Sequence, residues 1–401
     1  MSTQALNDLP DTKLHAIPRT TALTLMAAGF ISFLNMWCTQ AILPVLAKGL
    51  HVSVAATGYT VTAPLIATAA MAPLIGMISD RFGRRLFIRA ASLLLVIPTT
   101  LAAVSPNITM LIICRFAQGL LLPFIFAITV AYISDEMAPA TAMRMVGIYT
   151  SGTISGGFCG RLIVGVVTSL WNWRAGFLII ALMTLAAAIF IAFFMPKERQ
   201  FKPIHGLSGA LNSFPVHLTN RPLLGTYAVG FGVLFSMVGI FTFVNFRLAD
   251  APYHLGSAAL GAIFIVYLGG IVVSPVMGRL MATFDRRWLM AGCVGVGVAG
   301  LLLTLAAPLY LICLGLLLAC FGLFPQQTLA TGFIGVAARS AKSTAVGLYV
   351  TFYYIGGSFG GVIPAIAWRD AGWPGCVAIV ALVQLIVLAL AWCNWRAPKA
   401  T

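Results

Sequence analysis

Apolar stretches of about twenty residues recur from Thr21 to Trp392 with almost no charge inside them. That recurrence leaves the chain few ways to fold. At about 1.5 Å of rise per residue, each stretch is long enough to cross roughly 30 Å of hydrocarbon as an α-helix. Lipid supplies no partner for an open backbone N–H or C=O, so helices that bond internally are the expected solution. The spacing predicts twelve: Thr21–Leu46, Ala55–Ile78, Leu86–Val104, Ile108–Ile133, Met143–Ser169, Phe177–Met195, Leu223–Asn245, Ala258–Leu280, Leu289–Leu305, Leu309–Thr331, Thr344–Trp368 and Val377–Trp392. The composition agrees, being 60% hydrophobic and 8% charged, where soluble domains carry about a quarter charged residues.

Most connections between these helices are tight. The exception, Pro196–Pro222, splits them six and six. The expected organisation is a tail (1–19), a six-helix half (20–195), a central loop (196–222), a second six-helix half (223–395) and a short tail (396–401). Met1–Arg19 has no apolar core and does not read as a cleaved leader. The halves repeat. Val146-Gly147-Ile148-Tyr149 returns as Val346-Gly347-Leu348-Tyr349, Gly156-Gly157-x-x-Gly160 as Gly356-Gly357-x-x-Gly360, and Trp173 as Trp373. Such pseudo-symmetric duplication belongs to transporters whose substrate site lies between two halves near mid-membrane.

The net charge of +15 is no sign of nucleic acid, because it is gathered on one side of the predicted bundle. Arg81, Arg84, Arg85, Arg144, Lys197, Arg221, Arg286 and Arg287 share that side with both tails, against Lys48, Arg174, Arg247 and Arg369 opposite. The basic side is the cytoplasmic one. Both termini are therefore expected inside the cell, with the bundle in the inner membrane. The eight cysteines are scattered singly, with no C-x-x-C pair or Cys/His cluster. Neither a metal site nor a disulfide framework is expected.

Between the second and third stretches lies Gly76-Met-Ile-Ser-Asp80-Arg81-Phe-Gly83-Arg84-Arg85. Held at the lipid–water boundary, it reads either as an anchor that sets orientation or as a conformational latch in which Asp80 accepts from nearby arginines. This pattern, G-x-x-x-D-R-x-G-R-R, resembles the signature loop of the major facilitator superfamily, position for position. Its counterpart, Gly278 to Arg287, is degenerate, with Ala282 in place of the Asp and Asp285 in place of the Gly. Arg115-Phe-Ala-Gln118-Gly119 is similar to that family's R-x-x-Q-G motif, which the resemblance links to proton transfer. Gly152-x-x-x-Gly156-Gly157-x-x-Gly160 is similar to its antiporter motif, with Gly157 in place of Pro and Arg161 in place of the closing Gly. Together with Gly356, Gly357 and Gly360, these glycines suit either a fixed helix seam or one that slides.

Arg115 and Arg161 are the charges deep inside the predicted membrane segments, away from their ends. Each is expected to be satisfied by helix ends or to serve coupling or substrate binding. All nine carboxylates and all five histidines lie in loops or at span ends, which leaves no obvious proton carrier at mid-membrane. Asn35, Trp37, Thr39 and Gln40 in the first stretch, Phe241, Phe243 and Asn245 in the seventh, and Gln326 and Gln327 in the tenth are the candidate cavity residues. The resemblance places those helices around a central cavity, and amides beside aromatic faces suit amphiphilic molecules.

The whole resembles bacterial efflux permeases of the drug/proton antiporter branch. This implies a monomeric, twelve-helix secondary transporter of the major facilitator fold, working by alternating access in the lipid bilayer. It is expected to export small amphiphilic molecules in exchange for protons. The alternative is uptake or exchange of a small organic anion held at the embedded arginines. No nucleotide-binding loop, cofactor site, catalytic constellation or nucleic-acid surface is expected.

Overall fold

The computed structural model describes residues 18–198, 215–338 and 342–395 and, within them, every side chain except those at 76, 77, 79–82, 140, 271, 274, 275, 342 and 343. Among the described residues the chain is helix and connecting turn. The first six crossings are α1 (Arg19–Trp37) with its continuation α2 (Leu43–Gly49), α3 (Val54–Phe82), α4 (Arg84–Ala103), α5 (Ile108–Glu136), α6 (Pro139–Leu170) and α7 (Trp173–Phe194). The second six are α8 (Arg221–Ala249), α9 (Ser257–Ala262) continued by α10 (Val266–Leu280), α11 (Arg286–Leu303), α12 (Leu309–Ala337), α13 (Lys342–Gly360) and the long arm of α14 (Ile363–Asn394).

Ten described segments are apolar and long enough to cross a membrane. One of these, Thr344–Asn394, runs for 51 residues, about twice what one crossing takes, and bends at Gly372 with φ 59°. It therefore makes two crossings. The pair α9–α10, split by the 3-10 turn Ile263–Ile265, makes the twelfth.

Local chemistry sets the helix ends. Asn107, Asn172 and Asn220 accept from backbone N–H groups of Met110, Ala175 and Leu223 at 2.9, 2.9 and 3.4 Å, each satisfying a donor that a first turn leaves open. Prolines set the breaks that periodicity did not foretell. The first stretch is not one helix to Leu46: α1 stops at Trp37, and a 3-10 turn (Gln40–Ile42) leads into α2, where Pro44 lies in the first turn. The eleventh stops at Gly360, just ahead of Pro364 in the first turn of α14. A proline ring removes the N–H that would continue the helix and clashes with the preceding turn.

The buried apolar residues of both halves join in one core, and large apolar residues such as Leu94, Ile97, Phe193, Val272 and Leu385 stay exposed on the outer faces. In a membrane that surface meets acyl chains rather than water. The halves touch chiefly through α3 against α13 and α6 against α9. Glycines bring these backbones together. A Cβ on Gly58 would lie 2.5 Å from the Gly361 carbonyl, and one on Gly165 would lie 2.4 Å from the Ser257 carbonyl. Thr62 donates to Ser358 O at 3.0 Å and Ser257 to Gly165 O at 2.9 Å. These contacts collect toward the ends of the helices remote from the arginine-rich turns.

Candidate functional site

The break after Trp37 leaves the last carbonyls of α1 without helical partners, at the negative end of its dipole. Arg115 of α5, fully buried, fills that role. Its guanidinium donates to Asn35 O and Met36 O at 2.5 Å each, to Gln118 Oε1, and through Nε to Thr60 O of α3 at 3.0 Å. Gln118 then donates to Thr99 Oγ1 of α4 at 2.8 Å, and Asn35 Nδ2 donates to Thr184 Oγ1 of α7 at 2.8 Å. Thr99 Oγ1 lies 2.8 Å from Asn35 Oδ1. Five helices of the first half thus meet in one polar hub, and the charge of Arg115 is met by carbonyl oxygens. Gly119, one residue on, lets α5 press on α3; a Cβ there would be 2.4 Å from Pro64 O.

Arg161 of α6 is in different company. It is only 2% exposed, and it donates through Nε to Gln40 Oε1 at 2.9 Å and through Nη1 to Gly157 O at 2.8 Å. Three aromatic rings enclose it: Trp37 at 4.8 Å from the same half, and Phe264 at 4.3 Å and Tyr267 at 5.1 Å from the other. Phe241 backs those two, 5.4 and 4.6 Å from them. Gln40 carries the contact across the seam: its amide donates to Thr242 Oγ1 at 3.3 Å, and its carbonyl accepts from Asn245 Nδ2 at 2.7 Å. Thr39 Oγ1 and Asn245 Oδ1 are buried here without a partner. From this box aromatic residues, half-buried except for the buried Tyr354, line the facing surfaces of the two halves. Phe33 packs on Phe126 at 6.0 Å, Phe126 on Tyr354 of α13 at 5.9 Å, and Tyr267 on Phe324 at 5.7 Å.

The remaining predicted residues are dispersed. Phe243 packs at a tilt on Phe246 at 6.4 Å and on Trp368 at 6.2 Å, and is not among the rings that enclose Arg161. Gln326 is fully buried with both amide atoms unpartnered, and Gln327 is half-buried beside Tyr353. The glycines form two matching seams. Cβ atoms on Gly152, Gly156 and Gly160 would lie 2.2, 2.1 and 2.5 Å from carbonyls of α1. Those on Gly356 and Gly360 would lie 2.1 and 2.3 Å from carbonyls of α8, while one on Gly357 would meet Leu234. Gly157 differs, because its Cβ would find only ordinary contacts at 3.6 Å, with Arg161 Nη1 and Trp37.

At the arginine-rich turn, the side chains of Asp80 and Arg81 and the surroundings of Gly76 lie outside the described residues. Gly83 takes φ 94°, a conformation open chiefly to glycine. Arg84 pairs with Asp135 at the end of α5 at 2.7 Å. Arg85 donates through Nε to Met195 O at 2.9 Å, and its backbone N–H meets the carboxylate of Glu198. Glu198 thus places a negative charge at the start of α4, where the helix dipole favours it.

Sequence reasoning missed Glu198, Thr99, Thr184, Phe264 and Tyr267 as participants. The two threonines are indistinguishable from other apolar-run threonines by position. Tyr267, the tyrosine of the eighth stretch, is the one that polarity within an apolar run singles out.

The chain matches the family model of the Major Facilitator Superfamily over residues 25–361. It is 33% identical over 369 residues to the inner membrane transport protein YnfM of Escherichia coli (strain K12), covering 91% of this chain and 88% of that protein. It is 26% identical over 373 residues to Multidrug resistance protein 1 of Bacillus subtilis (strain 168), covering 90% and 94%. A solved structure of a bacterial homolog to the human lysosomal transporter Spinster, inward-facing and unoccupied, superposes with a TM-score of 0.78 at 14% identity, covering 96% of this chain and 100% of that one. At that identity the likeness speaks for the fold alone.

Proposed function

Since the chain belongs to the Major Facilitator Superfamily, we propose that it carries small amphiphilic organic molecules across the inner membrane by alternating access, along a path between its two six-crossing halves. One observation carries this reading. The halves meet at one end through glycine-to-backbone contacts and a few neutral hydrogen bonds, with aromatic surface facing between them. Each such bond contributes about 0.5–1.5 kcal/mol net. Backbones that meet at glycines part without unlocking interdigitated side chains. Such a seam suits repeated opening.

The name of the Bacillus subtilis relative accords with export of amphiphilic cargo. The basic turns accord with cytoplasmic termini. Exchange for protons is part of the proposal, with Asp80 or Asp135 at the cytoplasmic mouth, or the substrate itself, as the carrier. The turn from Gly76 to Arg85 serves as the latch of one state. The anion alternative is favoured by one observation, the aromatic box around Arg161, and is developed below.

The test replaces Thr62 and Ser358 by cysteine, in purified protein reconstituted in vesicles loaded with a fluorescent amphiphile. Oxidation of the pair is expected to cut flux at least about tenfold by trapping one state, and reduction to restore it. The chain with its own eight cysteines is the control. In the same assay Asp80→Asn slows flux in the absence of oxidant. Undiminished flux through the cross-linked protein would refute a path opened by parting the halves.

A further inference from the structure

We infer that the box around Arg161 binds the carboxylate of an aromatic monoanion, which deepens the transport reading above and rests on it. Three observations converge. First, the charge is uncompensated. Arginine stays protonated at any ordinary pH, yet among the described residues no carboxylate pairs with Arg161, and its Nη2 has no acceptor. Arg115, by contrast, is committed to carbonyl oxygens and Gln118. A guanidinium offers a planar fork that matches a carboxylate in bidentate fashion.

Second, the box has room for one methyl group beside the guanidinium. The other glycines of the α6 seam lie against α1 with no room for a side chain, but a Cβ on Gly157 would be 3.6 Å from Arg161 Nη1 and 3.6 Å from Trp37. Packing does not require a glycine there, and its missing side chain leaves space on the face of the box that holds the charge. The buried Thr39 Oγ1 and Asn245 Oδ1, both unpartnered, supply further polar atoms in the same cluster.

Third, the walls are aromatic and belong to both halves. Trp37 comes from one, Phe264 and Tyr267 from the other. A ligand seated on Arg161 therefore contacts groups that separate as access alternates, which is what links binding to the conformational cycle. One fixed positive charge balances one negative charge; a dianion would leave the second uncompensated in a low-dielectric site. Ring faces along Phe33, Phe126 and Phe324 extend the preference to a flat apolar body.

The experiment measures binding to the full-length purified chain by calorimetry. The probes are benzoate, salicylate and 1-naphthoate, beside their neutral amides and inorganic phosphate and chloride. The acids are expected to bind at least about tenfold more tightly than the amides. Arg161→Gln is expected to bring the acids down to the level of the amides, and Arg161→Lys to fall between. Gly157→Ala keeps the charge and, by its contacts, the fold; filling the gap weakens the acids and not the amides.

Equal binding of acids and amides would overturn the site, as would acid binding that survives Arg161→Gln unchanged. Phosphate or chloride binding as tightly as the acids would overturn it too, by reducing the box to a non-selective ion trap. A chain that passes the cysteine-pair test yet binds acids and amides alike keeps alternating access and loses the anion site.

Discussion

The two halves share one plan but fill its centre differently. In the first, Asn35, Thr99, Gln118 and Thr184 close a polar hub around Arg115. The matching place in the second half is set by the glycine seams, where Gly160 meets Leu34 O and Gly360 meets Phe235 O, by the starts of α5 and α12 at Ile108 and Leu309, and by the repeated Trp173 and Trp373. There Ser236 stands for Asn35, Ala319 for Gln118, Gln384 for Thr184 and Leu316 for Arg115. Instead of a hub there is a small void lined by Ser236, Ile240, Gly297, Val298, Leu301, Ala319, Leu323, Val380 and Gln384. Gln384 donates to Ser236 Oγ at 2.8 Å and to Gly232 O at 3.2 Å, but its Oε1 is buried without a partner. A satisfied network in a low dielectric rigidifies what it joins. A void with an orphaned acceptor does not, so the first half is expected to be the stiffer body.

The largest expected effect comes from dismantling the hub. Arg115→Leu installs the residue that the second half uses and leaves the carbonyls of Thr60, Asn35 and Met36 without their donor. At about 1–3 kcal/mol for each buried group left open, the loss should exceed about 4 kcal/mol and take most of the protein's margin. It is read as loss of monodisperse protein and a lowered unfolding temperature. Leu316→Met, at the matching position, changes little volume and should cost less than about 1.5 kcal/mol. Equal losses at the two positions would erase the contrast.

That asymmetry was only partly legible in the sequence. Crossing number, the duplication and the close-packing glycines follow from length, spacing and the absence of side chains, all local properties. The pairing of Arg115 with Gln118 is also local, three residues apart on one helix. The sequence left open which of two buried arginines is committed. Arg115 is committed because α1 breaks ahead of Pro44 and exposes carbonyls some 80 positions away, and no periodicity reports such a meeting. The turns tell the same story. In the second half Asp285 caps α11 itself, accepting from Arg287 N at 2.8 Å. In the first half Gly83 occupies that place, and the carboxylate that meets Arg85 N arrives from Glu198, 113 positions beyond Arg85.

A smaller effect is expected from Gln118→Ala, which copies Ala319 into the first half. Arg115 and Thr99 each lose a partner, and a void opens beside them. About 2–3 kcal/mol should go, with Arg115 still held by three carbonyls, so the variant should fold and unfold earlier on heating. A loss below about 0.5 kcal/mol, within the range of a surface change, would mean that the hub is held by Arg115 alone.

The smallest effect tests the void itself and has the opposite sign. Gly297 and Gly322 face each other where α11 crosses α12, yet they are not equivalent. A Cβ on Gly322 would lie 2.5 Å from Gly297 Cα and 2.6 Å from Cys293 O, while one on Gly297 meets only Gly322 Cα, at 3.6 Å. Gly297 also lines the void. Gly297→Ala therefore adds a methyl group where there is room and removes a mid-helix glycine, which costs about 1 kcal/mol relative to alanine. The variant should be more stable by up to about 1 kcal/mol, seen as a small rise in unfolding temperature, and Gly322→Ala should be less stable than the parent. If both substitutions destabilise alike, the void is not free space, and the second half is as tightly filled as the first.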